Sequence, residues 1–186
     1  MLALIGVQAY TLVAEEVLMS LDPADHTPRF ASAQVCEAAG ISHDTLKNWV
    51  SRKPQVVLMT NEEREQVGKG HPLLFSFNRA MQVALTAKIA AMGPTPREAA
   101  LIAAGFTDIS DGPLGNTPSR DPGELFGAGL TVLAWYPGEP IGRVMNVDPS
   151  DTRAYDLFWF DGKRDEVSAV IVNRLHARVR SALGLS

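Results

Sequence analysis

The chain has a single cysteine, Cys36, so it can form no internal disulfide and offers no cluster of thiolate ligands for a metal. That economy suits a reducing compartment, and a cytoplasmic protein is expected. There is no surplus of positive charge either: 17 Lys and Arg face 21 Asp and Glu, a net charge of −4. A histone-like mode, in which bulk charge does all the binding, is thereby excluded, but a compact reader with one basic face is not. No hydrophobic run is long enough to span a bilayer. The most apolar stretch, residues 1–14, lacks a basic start and meets Glu15 and Glu16 at once, unlike a secretory signal. It reads as a helix packed in the core or on a partner, the rival being that translation starts at Met19. No membrane association is expected. No phosphate-cradling glycine loop, nucleophile elbow, metal-binding histidine pair or internal repeat is present, so the sequence gives no support to catalysis or to a bound cofactor.

What the sequence does have is an ordinary globular balance, 46% hydrophobic and 20% charged. Its charges are unevenly spread. Residues 30–106 carry eight Lys/Arg against six Asp/Glu, a net +2, and the remainder carries nine against fifteen, a net −6. Proline and glycine punctuate the chain at Asp22-Pro23, at Thr27-Pro28 and again across residues 110–123. The division that follows is an N-terminal helical segment (1–28), a mainly helical domain (29–108), a linker (109–126) and a small α+β unit (127–186).

Within 29–108, Ser32 is a fitting N-cap for a helix over 33–39, and Gly40 supplies the positive φ that ends it. Ile41 leads to a second cap, Ser42, and a helix over 43–51 that Pro54 stops. Residues 56–59 and 73–77 read as two short strands around a polar loop. Asn78 is expected to cap a third helix over 79–92. Thr95, Pro96 and Glu98 form a capping box with proline at the first helical position, opening a fourth helix that ends at Gly105. In the C-terminal unit, 130–136 and 141–147 flank Pro137-Gly138-Glu139-Pro140 as a hairpin. Residues 155–160 suggest another strand, 167–172 are strand or helix, and 173–183 are helix.

Residues 32–49 carry the function. A helix-turn-helix needs a small residue where its helices touch, a glycine in the turn and apolar residues at fixed positions. Here Val35 and Ala39 face inward, Cys36 is the small contact, Gly40 turns the chain, Ile41 plugs the corner, and Leu46, Trp49 and Val50 lock the second helix down. His43, Asp44, Lys47, Asn48 and Ser51 are left facing outward. Lys47 suits guanine acceptors or phosphate, and Asn48 can pair bidentately with adenine. Ser42, His43, Asp44 and Thr45 form the helix end that enters a major groove first. Asp44 is unwelcome beside phosphate but can accept from a cytosine amino group. Arg52 and Lys53 follow where they can grip the backbone. Any surface helix also shows a polar outer face, so the reading depends on the whole pattern.

The same stretch resembles the DNA-binding half of MerR-like winged helix-turn-helix regulators. The likeness lies in Thr45-Leu46-Lys47-Asn48-Trp49, then a hairpin-like interval, then Leu74-Phe75-Ser76-Phe77-Asn78. The join Ala90-Ala91-Met92-Gly93-Pro94-Thr95-Pro96-Arg97-Glu98-Ala99 extends it. It covers residues 30–106, less than half of the chain. It implies that residues 61–71 form a wing, with Arg64, Lys69 and His71 as phosphate contacts, although Glu62, Glu63 and Glu65 share that loop. Beyond residue 106 the sequence departs from the family, whose long dimerising helix is replaced here by the Gly/Pro-rich stretch and the strand-rich unit.

The expectation is therefore an α+β protein: a winged helix-turn-helix domain, then a small antiparallel unit ending in a helix. It would be a sequence-preferring double-stranded DNA-binding protein regulating transcription, with no catalytic residues. Alternatives are a nucleoprotein-assembly factor, such as a phage DNA-packaging subunit or recombination directionality factor, and a protein-interaction module on the same scaffold. One reading helix spans only a half-site, so a homodimer is expected. The stripe Val172, Leu175, Val179 and Leu183 on the last helix is the proposed contact. A small-molecule effector is left open. His176, with Arg174, Arg178 and Arg180 nearby, reads as part of a solvated face. Asp148, Asp151, Asp156 and Asp161 read as turn formers, and Trp135, Tyr136, Trp159 and Phe160 as core.

Overall fold

The fold is given by a computed structural model, which describes residues 26–57, 59, 72–110, 120–150 and 166–185. The elements are β1 (Phe30–Ala31), α1 (Ser32–Ala39), α2 (His43–Ser51), β2 (Leu74–Phe75), α3 (Phe77–Ala90), α4 (Pro96–Thr107), β3 (Leu130–Trp135), β4 (Arg143–Val147), β5 (Ser168–Ile171) and α5 (Val172–Ala182). The protein is α+β, with five helices and two small antiparallel sheets among the described residues. No described helix is long and apolar enough to cross a membrane.

Helix α3 sits at the centre, with eleven of its fourteen residues buried, as befits a helix surrounded on several sides. Helices α1, α4 and α5 all pack against it. It begins two residues earlier than expected. Ser76, not Asn78, is the cap: its backbone is extended and its side chain accepts from Arg79 N at 3.1 Å. Asn78 instead donates Nδ2 to the Thr107 carbonyl at 2.7 Å, tying α3 to the end of α4. Two of the polar side chains that α3 buries, Arg79 and Gln82, are joined to each other and to Asp108. Arg79 donates to Gln82 Oε1, Gln82 donates to Asp108 Oδ2 at 3.1 Å, and the Arg79 guanidinium lies 3.6 Å from Asp108 Oδ1. A buried charge is tolerable only with such partners.

Leu74–Phe75 does form a strand, but its antiparallel partner is Phe30–Ala31 rather than residues 56–59. Val56, Val57 and Met59 lie in no strand. Val57 and Met59 are buried, so their apolar pattern reports core packing instead of strand pairing.

Helix α4 opens with the expected capping box, Thr95 N and Oγ1 donating to Glu98 Oε2 at 2.8 and 2.7 Å. It passes through Gly105 to Thr107 instead of stopping at the glycine. Gly105 is needed for room: a Cβ there would overlap the carbonyl oxygen of Gly142. Gly142 is equally confined, its own missing Cβ lying 2.7 Å from the Ile102 carbonyl oxygen. The helix and the β3–β4 hairpin thus meet backbone to backbone.

The larger sheet has the order β4-β3-β5, antiparallel throughout. Its hairpin closes through a turn in which Glu139 N donates to Tyr136 O at 3.0 Å and Gly138 takes φ 83°, a residue pattern suited to a type II turn. Side chains alternate across the sheet. Leu133, Trp135 and Val170 join the helical core, while Val132, Ala134, Met145 and Val147 form a separate cluster. Of residues 167–172, Ser168–Ile171 are strand and Val172 starts α5. The expected strand over 155–160, with Trp159, Phe160, Asp151, Asp156 and Asp161, lies outside the described residues, as does the segment 1–14.

Residues 120–126, placed by composition in a linker, lie against the end of α4. Arg120 is 3% exposed. Its guanidinium donates to the carbonyls of Phe106 (3.0 Å), Ile109 (2.7 Å), Asp121 (2.9 Å) and Glu124 (3.3 Å), and is centred 5.1 Å from the Phe106 ring. A cation here neutralises the partial negative charge of the helix C-terminus.

The apolar stripe on α5 is not a free surface. Val172, Leu175, Val179 and Leu183 are all buried within this chain, in one core with α1 and α3, and the apolar face offered as a dimer contact is already covered. His176 is no solvated cation either. Its ring meets Phe77 edge-on at 5.0 Å, and burial, with Arg180 adding to it, lowers its pKa to about 4.

Candidate nucleic-acid interface

Two short helices and the three residues between them build the site. Gly40 takes φ 69°, and Ile41 N donates back to Cys36 O at 3.0 Å, closing α1 in a left-handed cap. Ser42 then caps α2 by accepting from Thr45 N at 3.1 Å. Val35, Cys36, Leu46 and Trp49 are buried, and Ala39, Ile41 and Val50 pack against them. The inward half of the expected pattern is found in full. The first helix differs at its start: Ser32 lies inside it, Ala31 is the cap residue, and Gln34 Oε1 accepts from Ala31 N at 2.9 Å.

On α2 the buried and exposed residues fall on opposite sides. Leu46 and Trp49 face the core, while His43, Asp44, Lys47, Asn48 and Ser51 are exposed. At 100° per residue the two groups are centred roughly 160° apart. The exposed set divides further. Ser51 Oγ donates to the Lys47 carbonyl at 2.6 Å, and the Ser42 and Thr45 hydroxyls bond each other at 2.9 Å. These three side chains are committed to the helix itself. His43, Asp44, Lys47 and Asn48 have side chains that bond to nothing among the described residues. Nine residues of helix are about 13.5 Å long, a length that suits insertion into a B-DNA major groove.

The end of α2 is held by the chain that follows. Val56 N and Val57 N donate to the Trp49 carbonyl at 2.9 and 3.3 Å, and Gln55 Nε2 donates to Val50 O at 2.7 Å. The intervening Arg52 and Lys53 are left exposed at the helix C-terminus, where the dipole favours cations. Beside them lies a cleft of about 430 Å³ between this turn and α4, with Lys53 on one side and Arg97 on the other. Arg97 is a candidate that the sequence did not single out. It belongs to a capping-box helix far along the chain, and only the fold brings it beside Lys53.

No protein-family model, curated protein or solved structure matches this chain.

The exposed face therefore has to be judged by its own chemistry. Lys47, Arg52 and Lys53 give it three cations and Arg97 adds one across the cleft, with Asp44 the acid on the helix itself. Lysine and arginine serve phosphate or guanine, asparagine serves adenine, and a carboxylate serves the cytosine amino group. Arg64, Lys69 and His71, implied as wing contacts, lie outside the described residues.

Proposed function

We propose that this protein binds double-stranded DNA with sequence preference and regulates transcription, reading bases with α2. The observation that carries the reading is the two-sidedness of α2, anchored by Leu46 and Trp49 and presenting uncommitted His43, Asp44, Lys47 and Asn48 side chains. Arg52, Lys53 and Arg97 would hold the phosphate backbone and set the register of the helix. Because one helix reads a half-site, the working form is a homodimer. Its contact must lie elsewhere than on the buried stripe of α5.

Fluorescence anisotropy with labelled fragments of the protein's own gene neighbourhood tests this. Salt-sensitive binding is expected, with Lys47→Ala/Asn48→Ala weakening the preferred fragment more than an unrelated one. No binding at low salt by folded protein would remove the reading and turn attention to protein partners of the same scaffold.

A further inference from the structure

Helix α4 separates two grooves, and the one on its hairpin side has chemistry opposite to the cleft beside α2. It measures about 460 Å³ and runs between the first half of α4 and the β3–β4 turn. Ile102, Trp135 and Tyr136 are its buried lining. Met92, 45% exposed, and Leu101, 36% exposed, stand at its rim. Among the described residues, the charged ones lining it are Glu98 and Glu139.

The two carboxylates are differently placed. Glu98 is held below the ordinary carboxylate range by its hydrogen bonds from Thr95, and no cation pairs with it among the described residues. Glu139 lies 3.3 Å from the Arg143 guanidinium, which is itself 6.0 Å from the centre of the Tyr136 ring. This wall therefore already accommodates one guanidinium between a carboxylate and an aromatic face. The backbone contact of Gly105 with Gly142 fixes the two walls against each other, so the groove is formed before anything enters it.

We propose that this groove docks a segment of another protein that presents a bulky apolar side chain beside a lysine or arginine. The apolar lining and exposed Met92 and Leu101 call for the first feature, and Glu98 for the second, since Glu139 already has Arg143. A second copy of this chain fits poorly, since an isologous contact brings Glu98 towards its own copy, and like charges repel. A small molecule would remain largely uncovered in so open a groove. The inference does not rest on the DNA reading, and its test contains no DNA.

A phage-displayed library of random peptides, selected on the immobilised full chain, tests it. The enriched peptides should pair a large apolar residue with Lys or Arg. They should bind Glu98→Gln about fivefold more weakly at low salt, and lose most binding to Met92→Ser. Gln at the third helical position preserves a capping box, and thermal melting confirms that each variant is folded. Failure to enrich any peptide, enrichment of acidic peptides, or equal binding to Glu98→Gln overturns the proposal. So does a dimer in sedimentation equilibrium that Met92→Ser dissociates, which would assign the groove to a second copy.

Discussion

Gly105→Ala sets two physical effects of opposite sign against each other. Inside a helix, replacing glycine by alanine ordinarily stabilises by about 1 kcal/mol, because it restricts the unfolded chain and favours helical backbone. Gly105 lies inside α4, so propensity alone calls for a gain. The structure calls for a loss. The new Cβ would overlap the Gly142 carbonyl oxygen and stand 3.3 Å from the Gly142 Cα. These are backbone atoms and cannot rotate away as a side-chain tip can. Either α4 or the hairpin must shift, and overpacking of that kind costs about 1–3 kcal/mol. Separating the two also loosens Ile102 and Leu133, whose side chains come within 2.9 and 2.6 Å of where a Gly142 Cβ would stand. A net destabilisation of about 1–2 kcal/mol is expected after the propensity gain is subtracted. Urea unfolding followed by tryptophan fluorescence and by circular dichroism measures it, with Gly142→Ala as a companion. A Gly105→Ala protein more stable than wild type by about 1 kcal/mol would refute the backbone contact, and with it the fixed walls of the acidic groove.

Three further expectations concern charge. Arg52→Ala/Lys53→Ala should weaken binding to all DNA sequences alike and flatten the slope of log K against log salt by about 2, one phosphate per cation; a changed sequence preference with the slope intact would contradict their backbone role. His176 contributes stability as a neutral ring, because its folded pKa of about 4 lies below that of the free side chain. That contribution is complete above about pH 6.5, is lost as pH falls through the window down to about 4, and then levels off. Discounted for the ring's partial exposure, it amounts to about 1–2 kcal/mol, read as the difference between the pH–stability curves of wild type and His176→Gln; superimposable curves would count against it. Arg120→Met should destabilise by about 3–4 kcal/mol, since it leaves several carbonyls at the end of α4 without a donor. Thermal denaturation within about 1 kcal/mol of wild type would show that water replaces the guanidinium.

Local chemistry made much of this fold legible in advance. Gly40, Ser42 and the Thr95-Pro96-Glu98 box each act within a few residues of themselves, and each ends or starts a helix where the sequence placed it. The hairpin around Pro137 and Gly138 is of the same kind. Distant partners decided the rest. Ser76 and Asn78 are both good caps, and the Thr107 carbonyl, far along the chain, draws Asn78 away from that task. Val57 and Met59 carry a strand-like pattern but are buried without a strand partner, and that partner's place beside Leu74–Phe75 goes to Phe30–Ala31. The apolar stripe on α5 was visible, but not what it packs against. In the candidate site, the faces of α2 follow from helical spacing alone. Arg97 and the acidic groove depend on how α4 docks, which spacing does not encode.

Arg120 has one more consequence, for how this chain can change over time. Its guanidinium binds carbonyls on both sides of the interval between Ile109 and Asp121, and so clips together the two ends of whatever lies between. Lengthening an interval whose ends are already fixed costs little, roughly 0.6 kcal/mol for each doubling. Insertions there should be absorbed with α4 and the sheet undisturbed. The position is a natural port at which a descendant could acquire an added module, or an experimenter a reporter, while the face of α2 stays as it is.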